Sequence, residues 1–279
     1  MSAYRFCRTD DIALLVDALN RCWSPYFPDE PAMTPAAFKR SIRNLQVWCS
    51  SCMVAFAGGD PVAVLIGAKR PSGTLIHRIA VHPDHRRQGH GRHLLTSLTS
   101  KLAILGPPRI AAEVPEALGD ACALFRACGF MEEAPLTSYV LRSGGRASPT
   151  GDGLVIPVTV DDLSANGLLE DEGVATCWER SVETLKARKA DISGLAVASD
   201  ERIEACILYI EDEILAFRSF VPGGAHRLEQ LLGHLRAAGT NALRFAKVHP
   251  SEISADLLET LGFERAGGYR RYAATARPD

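Results

Sequence analysis

The residues with the clearest chemical potential lie in one stretch, Thr74-Leu-Ile-His-Arg-Ile-Ala-Val-His-Pro-Asp-His-Arg-Arg-Gln-Gly-His-Gly-Arg-His-Leu-Leu95. A β-branched apolar strand stops at Pro83, a basic turn follows, and two glycines open a helix of apolar periodicity. Glycine at 89 and 91 removes side chains where the backbone must turn tightly, and leaves successive N–H groups free to converge on an anion at the helix N-terminus. The helix dipole adds positive potential there, and Arg86, Arg87 and Arg92 add full charges. The segment reads as a cradle for a diphosphate. The plain alternative is a turn that the glycines merely shape and the arginines merely solvate. Other phosphate loops fit worse: the Lys-Ser/Thr pair of the Walker pattern and the Gly-x-Gly-x-x-Gly after a first strand of the Rossmann fingerprint are both missing.

The elements that must position this loop follow from the apolar pattern. A strand at 4–8 and helices at 10–20 and 35–46 precede three strands at 48–57, 61–69 and 74–82. A helix at 89–104, a strand at 109–114, a short helix at 119–128 and closing strands at 130–142 complete a mixed α/β layer. Gly58-Gly-Asp60 marks a hairpin turn. Ser143 to Gly153 is small, polar and rich in Gly and Pro, and so predicts a linker at 143–152 between domains at 1–142 and 153–279.

The second half replays the first with ordered matches. Arg8-Thr-Asp-Asp11 has its echo in Thr159-Val-Asp-Asp162, each a polar N-cap signal before a helix. Cys22-Trp23 recurs as Cys177-Trp178, and Phe125-Arg-Ala-Cys-Gly-Phe130 as Leu258-Glu-Thr-Leu-Gly-Phe263. A tandem duplication is expected, giving two similar sheets that each carry helices.

Composition narrows the function. With 31 Lys+Arg against 33 Asp+Glu the formal net charge is -2, so there is no global attraction to nucleic acid or anionic lipid, and neither partner is expected. No apolar run approaches the roughly 18 residues needed to cross a bilayer. The eight cysteines lie in apolar segments behind a start, MSAYRFCRTDD, that lacks signal-peptide features. They read as reduced thiols in a cytoplasmic protein. Five of the eight histidines fall at 77, 82, 85, 90 and 93, but they straddle a loop that an anion already explains, so no metal is expected. Cys49-Ser-Ser-Cys52, without a second pair, reads as two apolar fillers. Trp23, Tyr26 and Phe27, between the first two helices, suit either an acceptor site or a core.

Strand, Pro, basic loop, Gly-x-Gly and amphipathic helix in this order resemble the signature of the GNAT superfamily of acyl-CoA N-acyltransferases. Arg86-Arg-Gln-Gly-His-Gly91 matches its Arg/Gln-x-x-Gly-x-Gly/Ala loop, and Ile79-Ala-Val-His-Pro83 the strand before it. The resemblance covers nearly all of 3–142 in element order. It implies an α/β fold of two tandem domains, each a central, mostly antiparallel sheet flanked by helices. It further implies that acetyl-CoA, or another acyl-CoA, pairs its pantetheine with Ile79, Ala80 and Val81. The diphosphate would rest on Arg86, Arg87, Gln88, Gly89, His90, Gly91 and Arg92. The activity implied is acyl transfer to a primary amine of a small molecule or peptide by direct attack in a ternary complex, in a monomer or homodimer.

Attack by an amine needs a base. Ile76 to His82 resembles the corresponding strand of serotonin N-acetyltransferase, where histidines remove the proton, and so His77 is favoured, with Glu113 on the next strand as rival. The family's Leu-Tyr-x-x-x-Gly-Phe motif, whose tyrosine protonates the departing thiolate, reads Leu124-Phe125-Arg-Ala-Cys-Gly129-Phe130 here. Phe125 keeps the cofactor contact but has no proton to give, leaving water, Tyr139 or Cys122. The family's asparagine is also missing from Leu118-Gly-Asp-Ala121. These departures admit an alternative, a catalytically impaired acyl-CoA sensor or scaffold. In the second half Phe220-Val-Pro-Gly-Gly-Ala-His226 has lost the loop and its arginines, so a degenerate domain is expected there, as in tandem members such as mycothiol synthase.

Overall fold

A computed structural model describes residues 2–142, 153–170 and 173–276; the expected linker at 143–152 lies outside the described residues. The chain forms two compact units, Met1–Ala134 with Arg270–Asp279, and Pro135–Tyr269.

The first unit begins with β1 (Ser2–Phe6), α1 (Ile12–Cys22) and α2 (Pro35–Leu45). In α1, Ile12, Leu15, Val16 and Leu19 recur at helical spacing, and Leu15, Val16 and Leu19 are buried. Thr34 caps α2 by accepting from Ala37 N, with Pro35 preset for the first turn. The sheet then adds β2 (Met53–Ala57), β3 (Asp60–Arg70) and β4 (Gly73–Val81), all antiparallel to their chain neighbours. Gly58 and Gly59 make the β2–β3 turn at φ +62° and +98°. A strand was expected from 48, but Cys49–Ser51 forms a 3-10 turn and β2 starts at Met53. Helix α3 (His90–Leu105) is the crossover to β5 (Arg109–Pro115), which lies parallel to β4. Leu94, Leu95, Leu98 and Leu102 of α3 are buried against the sheet, each contributing at most about 1.5–3 kcal/mol. Helix α4 (Gly119–Ala127) and the start of β6 (Met131–Arg142) follow.

The second unit repeats this order with β7 (Leu154–Pro157), α5 (Val160–Ala165), α6 (Val182–Ala187), β8 (Ser193–Ala198), β9 (Ile203–Ile210), β10 (Glu213–Ser219), α7 (Ala225–Ala237), β11 (Ala242–Val248), α8 (Ala255–Thr260) and β12 (Glu264–Thr275). Thr159 and Asp162 form a full capping box at α5. Its echo behaves differently, since Asp11 accepts from Arg8 N and Arg5 and makes no side-chain cap.

The last strands are exchanged. The far neighbour of β5 is β12, and Tyr272 and Ala276 join the first core. The neighbour of β11 is β6, paired from Thr137 to Arg142, and Tyr139 and Leu141 join the second core. The units therefore divide the chain otherwise than at 1–142 and 153–279.

Candidate active site

The site begins with an irregularity in β4. Ile66 pairs with Arg78 and Gly67 with Ile76, leaving His77 as an extra residue that bulges the strand. Opposite the bulge stands Gly67, where a side chain would strike the Ser51 carbonyl, whose oxygen is 2.6 Å from an ideal Cβ. β4 and β5 pair at Thr74↔Ile110, Leu75↔Ala111 and Ile76↔Ala112, and no further. The next positions are His77 and Glu113, both half-buried.

Beyond that point the edge of β4 is turned toward a groove. His82 N bonds to Val62 O across the pair, so even-numbered residues of this segment bond to β3. By alternation the N–H and C=O groups of Ile79 and Val81 project the other way. The groove has a volume of about 910 Å³. Ile79, Ala80 and Val81 form one wall, α4 residues including Ala121 and Leu124 the other, and Trp23, Tyr26 and Phe27 one end.

The basic loop adjoins this aromatic end, Arg86 Nε donating to the Tyr26 hydroxyl at 2.6 Å. Arg86, Arg87, Gly89, His90, Gly91 and Arg92 line the groove, whereas Gln88 is exposed and does not. Gly89 sits at φ +85° with open space where a Cβ would be, so backbone conformation and not crowding demands glycine. At Gly91 an ideal Cβ lies 2.8 Å from Leu124 Cδ2, so any side chain there pushes aside the flexible end of Leu124. Arg87 accepts a left-handed conformation at φ +60°, which helps aim the loop. His90, 2% exposed, has Nδ1 at 2.8 Å from the Tyr4 hydroxyl. Burial first, then His85 and His93, hold its imidazole below the ordinary range.

Two further expected residues, Phe125 and Tyr139, stand elsewhere. Phe125 is 1% exposed in the first core, stacked on Tyr272 at 5.8 Å, and does not line the groove. Tyr139 is 4% exposed in the second core, in register with Phe245, because β6 is paired with β11. His82 caps the turn after β4, its Nδ1 accepting from Asp84 N. Cys122 is buried, as are Cys49 and Cys52. Burial pushes the Cys7 thiol up to about 12 and the Cys22 thiol up to about 11, which removes thiolate reactivity.

Sequence reasoning missed the role of Tyr26. Its hydroxyl donates to Val81 O at 2.6 Å and accepts from Arg86 Nε at 2.6 Å. Trp23 stacks on Phe27 at 4.4 Å, with the Arg78 guanidinium over its ring and Nε1 donating to Glu30. An aromatic cluster near two prolines was the only signal.

In the second unit β10 and β11 also part early, with Glu213↔Arg244 as their one register pair. There the fully buried Arg180 donates to the β11 carbonyls of Ala246 and Lys247, grips Glu252 with both ends of its fork, and lies over Phe245. The loop before α7 is short and holds no arginine.

The model of the acetyltransferase (GNAT) family matches residues 12–130, which span α1 to the end of the α4 turn and so contain the whole groove. Residues 12–130 are a GNAT domain. Among curated proteins no sequence matches the chain significantly. Solved structures share its fold over the full length. A GCN5-related N-acetyltransferase from Sphaerobacter thermophilus is 14% identical, with 99% of this chain and 96% of that one covered and a TM-score of 0.69. A tandem GNAT protein from the clavulanic acid biosynthesis pathway is 16% identical, with both chains covered completely and a TM-score of 0.66. A GCN5-related N-acetyltransferase from Anabaena variabilis is 10% identical, with 99% of this chain and 73% of that one covered and a TM-score of 0.64. The fold is thus that of a two-unit GNAT protein, and the family's reaction is N-acetylation with an acyl-CoA co-substrate. Among the described residues no helix is long and apolar enough to cross a membrane.

Proposed function

We propose that the GNAT domain transfers an acetyl group from acetyl-CoA to a primary amine of a small molecule or peptide by direct attack in a ternary complex. The observation that carries this reading is the parting of β4 from β5 after Ile76 and Ala112, which leaves the Ile79 and Val81 edge facing a groove that ends on an arginine loop. Amide groups of a pantetheine arm fit such an edge as an added strand. A diphosphate fits the first turn of α3, where Arg86, Arg87 and Arg92 stand beside free space at Gly89.

The thioester would then lie where the strands part. His77, in the bulge, takes a proton from the ammonium, and Glu113 is placed to serve the same role on β5. His77 passes that first proton on to solvent; the amine nitrogen attacks the thioester carbonyl, a C–N bond forms, the C–S bond breaks, and the amine's second proton passes to the freed base. With Phe125 in the core, the departing thiolate takes its proton from water, which a thiol leaving group near neutral pH tolerates. Among the described residues Asp120 is the one acidic residue lining the groove, so a polycationic acceptor finds little to pair with. Eight thiols without a disulfide suit a reducing cytoplasm.

Phe125 also favours a second reading, an acyl-CoA sensor that has lost its chemistry. A thiol-release assay with acetyl-CoA over a panel of amino acids, monoamines, polyamines and peptides separates the two. Release dependent on one amine class supports the transferase. Binding of acetyl-CoA with no release from any amine supports the sensor.

A further inference from the structure

Tyr26 holds two groups that a ligand in the groove would also need. Its hydroxyl occupies the Val81 carbonyl at 2.6 Å, one of the two carbonyls that alternation turns away from β3. Its oxygen accepts Nε–H from Arg86 at 2.6 Å, and the guanidinium lies 4.5 Å over its ring. The residue is held in place by a short turn, Tyr26 N bonding to Trp23 O and Phe27 N to Ser24 O. It lines the groove and is only half-buried, so a ligand can reach it.

We infer that Tyr26 sets donor affinity by competing with the acyl-CoA for the β4 edge and for Arg86. The inference rests on the acyl-CoA reading of the groove. A pantetheine N–H and the Tyr26 hydroxyl seek the same Val81 oxygen, and a diphosphate and the phenol oxygen seek the same guanidinium. Binding therefore exchanges two internal hydrogen bonds for two to the ligand, and its net gain is reduced by what the first two contributed. Departure of CoA is the reverse, with Tyr26 reclaiming both partners as the product leaves. The residue weakens substrate and product alike and speeds product release.

The sign of a single substitution separates this role from a supporting one. A hydroxyl that only braces the wall would, on removal, loosen the groove and weaken binding. A competitor, on removal, tightens it. Tyr26→Phe keeps the ring under Arg86 and deletes the oxygen; Tyr26→Leu deletes the ring as well. The experiment is calorimetric titration of CoA into the full chain and both variants, with stopped-flow measurement of CoA dissociation, after circular dichroism has shown both variants folded. The expected result is binding at least about fivefold tighter in Tyr26→Phe, the weight of one of the two hydrogen bonds it removes, carried by slower dissociation, and at least as tight in Tyr26→Leu. Unchanged or weaker binding in both folded variants overturns the competition and leaves the groove assignment standing. Absence of CoA binding to the unaltered chain overturns both.

Discussion

His77 and Glu113 are the first residues past the last paired positions of β4 and β5, Ile76 and Ala112. The imidazole- and carboxyl-bearing positions thus flank the point where the strands part, and the proposed transfer assigns the base to one of them. His77→Gln is expected to lower kcat about 10²- to 10⁴-fold with CoA affinity unchanged, and to remove the acid limb of the pH–rate profile. Glu113→Gln, measured the same way, identifies the base if it and not the His77 variant gives that loss.

Gly91 predicts a packing penalty. An alanine methyl there meets Leu124 Cδ2 at 2.8 Å and pushes that flexible end aside, so Gly91→Ala is expected to cost less than about 1 kcal/mol in denaturant unfolding, alanine's helix preference offsetting part of the strain. Leu124→Ala in the same chain should recover part of the loss, because the two residues share one contact. Additive losses would mean that α3 and α4 do not touch there.

His90 links stability to pH. Its imidazole is held below the ordinary range, so the unfolded chain binds that proton more readily than the native one. The stabilisation from the neutral ring, facing Tyr4, His85 and His93, is complete above the unfolded pKa of about 6.5 and is lost as pH falls through the lowered native value. Unfolding of the parent and of His90→Gln, compared from pH about 7 to about 5, should show the parent losing stability faster. Parallel curves would contradict a depressed His90.

Arg180 predicts the behaviour of the second unit. Its guanidinium and the Glu252 carboxylate, with side chains 1% and 2% exposed, fill the place where β10 and β11 part. Arg180→Met strands a buried carboxylate and is expected to cost about 3–5 kcal/mol, with Arg180→Met/Glu252→Leu costing clearly less. An equal cost for both would mean the pair is not coupled.

Much of this fold is legible in the sequence, and the exceptions have physical causes. The order of elements, the Gly58-Gly59 hairpin and the glycine loop before α3 are local signals, fixed by period and by backbone conformation. The exchange of β6 and β12 is not local. Tyr139 and Leu141, like Tyr272 and Ala276, alternate as any closing strand would, and nothing in that pattern says which sheet receives them. Phe125 entered the core for a related reason: the stacked Tyr272 that covers it arrives from far along the chain. Tyr26 carried only the signal of being aromatic, which suits a core equally well, and its value came from the distant Arg86 and Val81.

The most direct test of the central claim is calorimetric titration of CoA into the full chain and into Gly89→Glu, which sets a carboxylate and a strained backbone in the anion loop at φ +85°. One site per chain in the parent, lost in the variant, is the predicted result. No binding to the parent, or one site that survives in Gly89→Glu, would contradict the assignment of the α3 loop as the donor's diphosphate site.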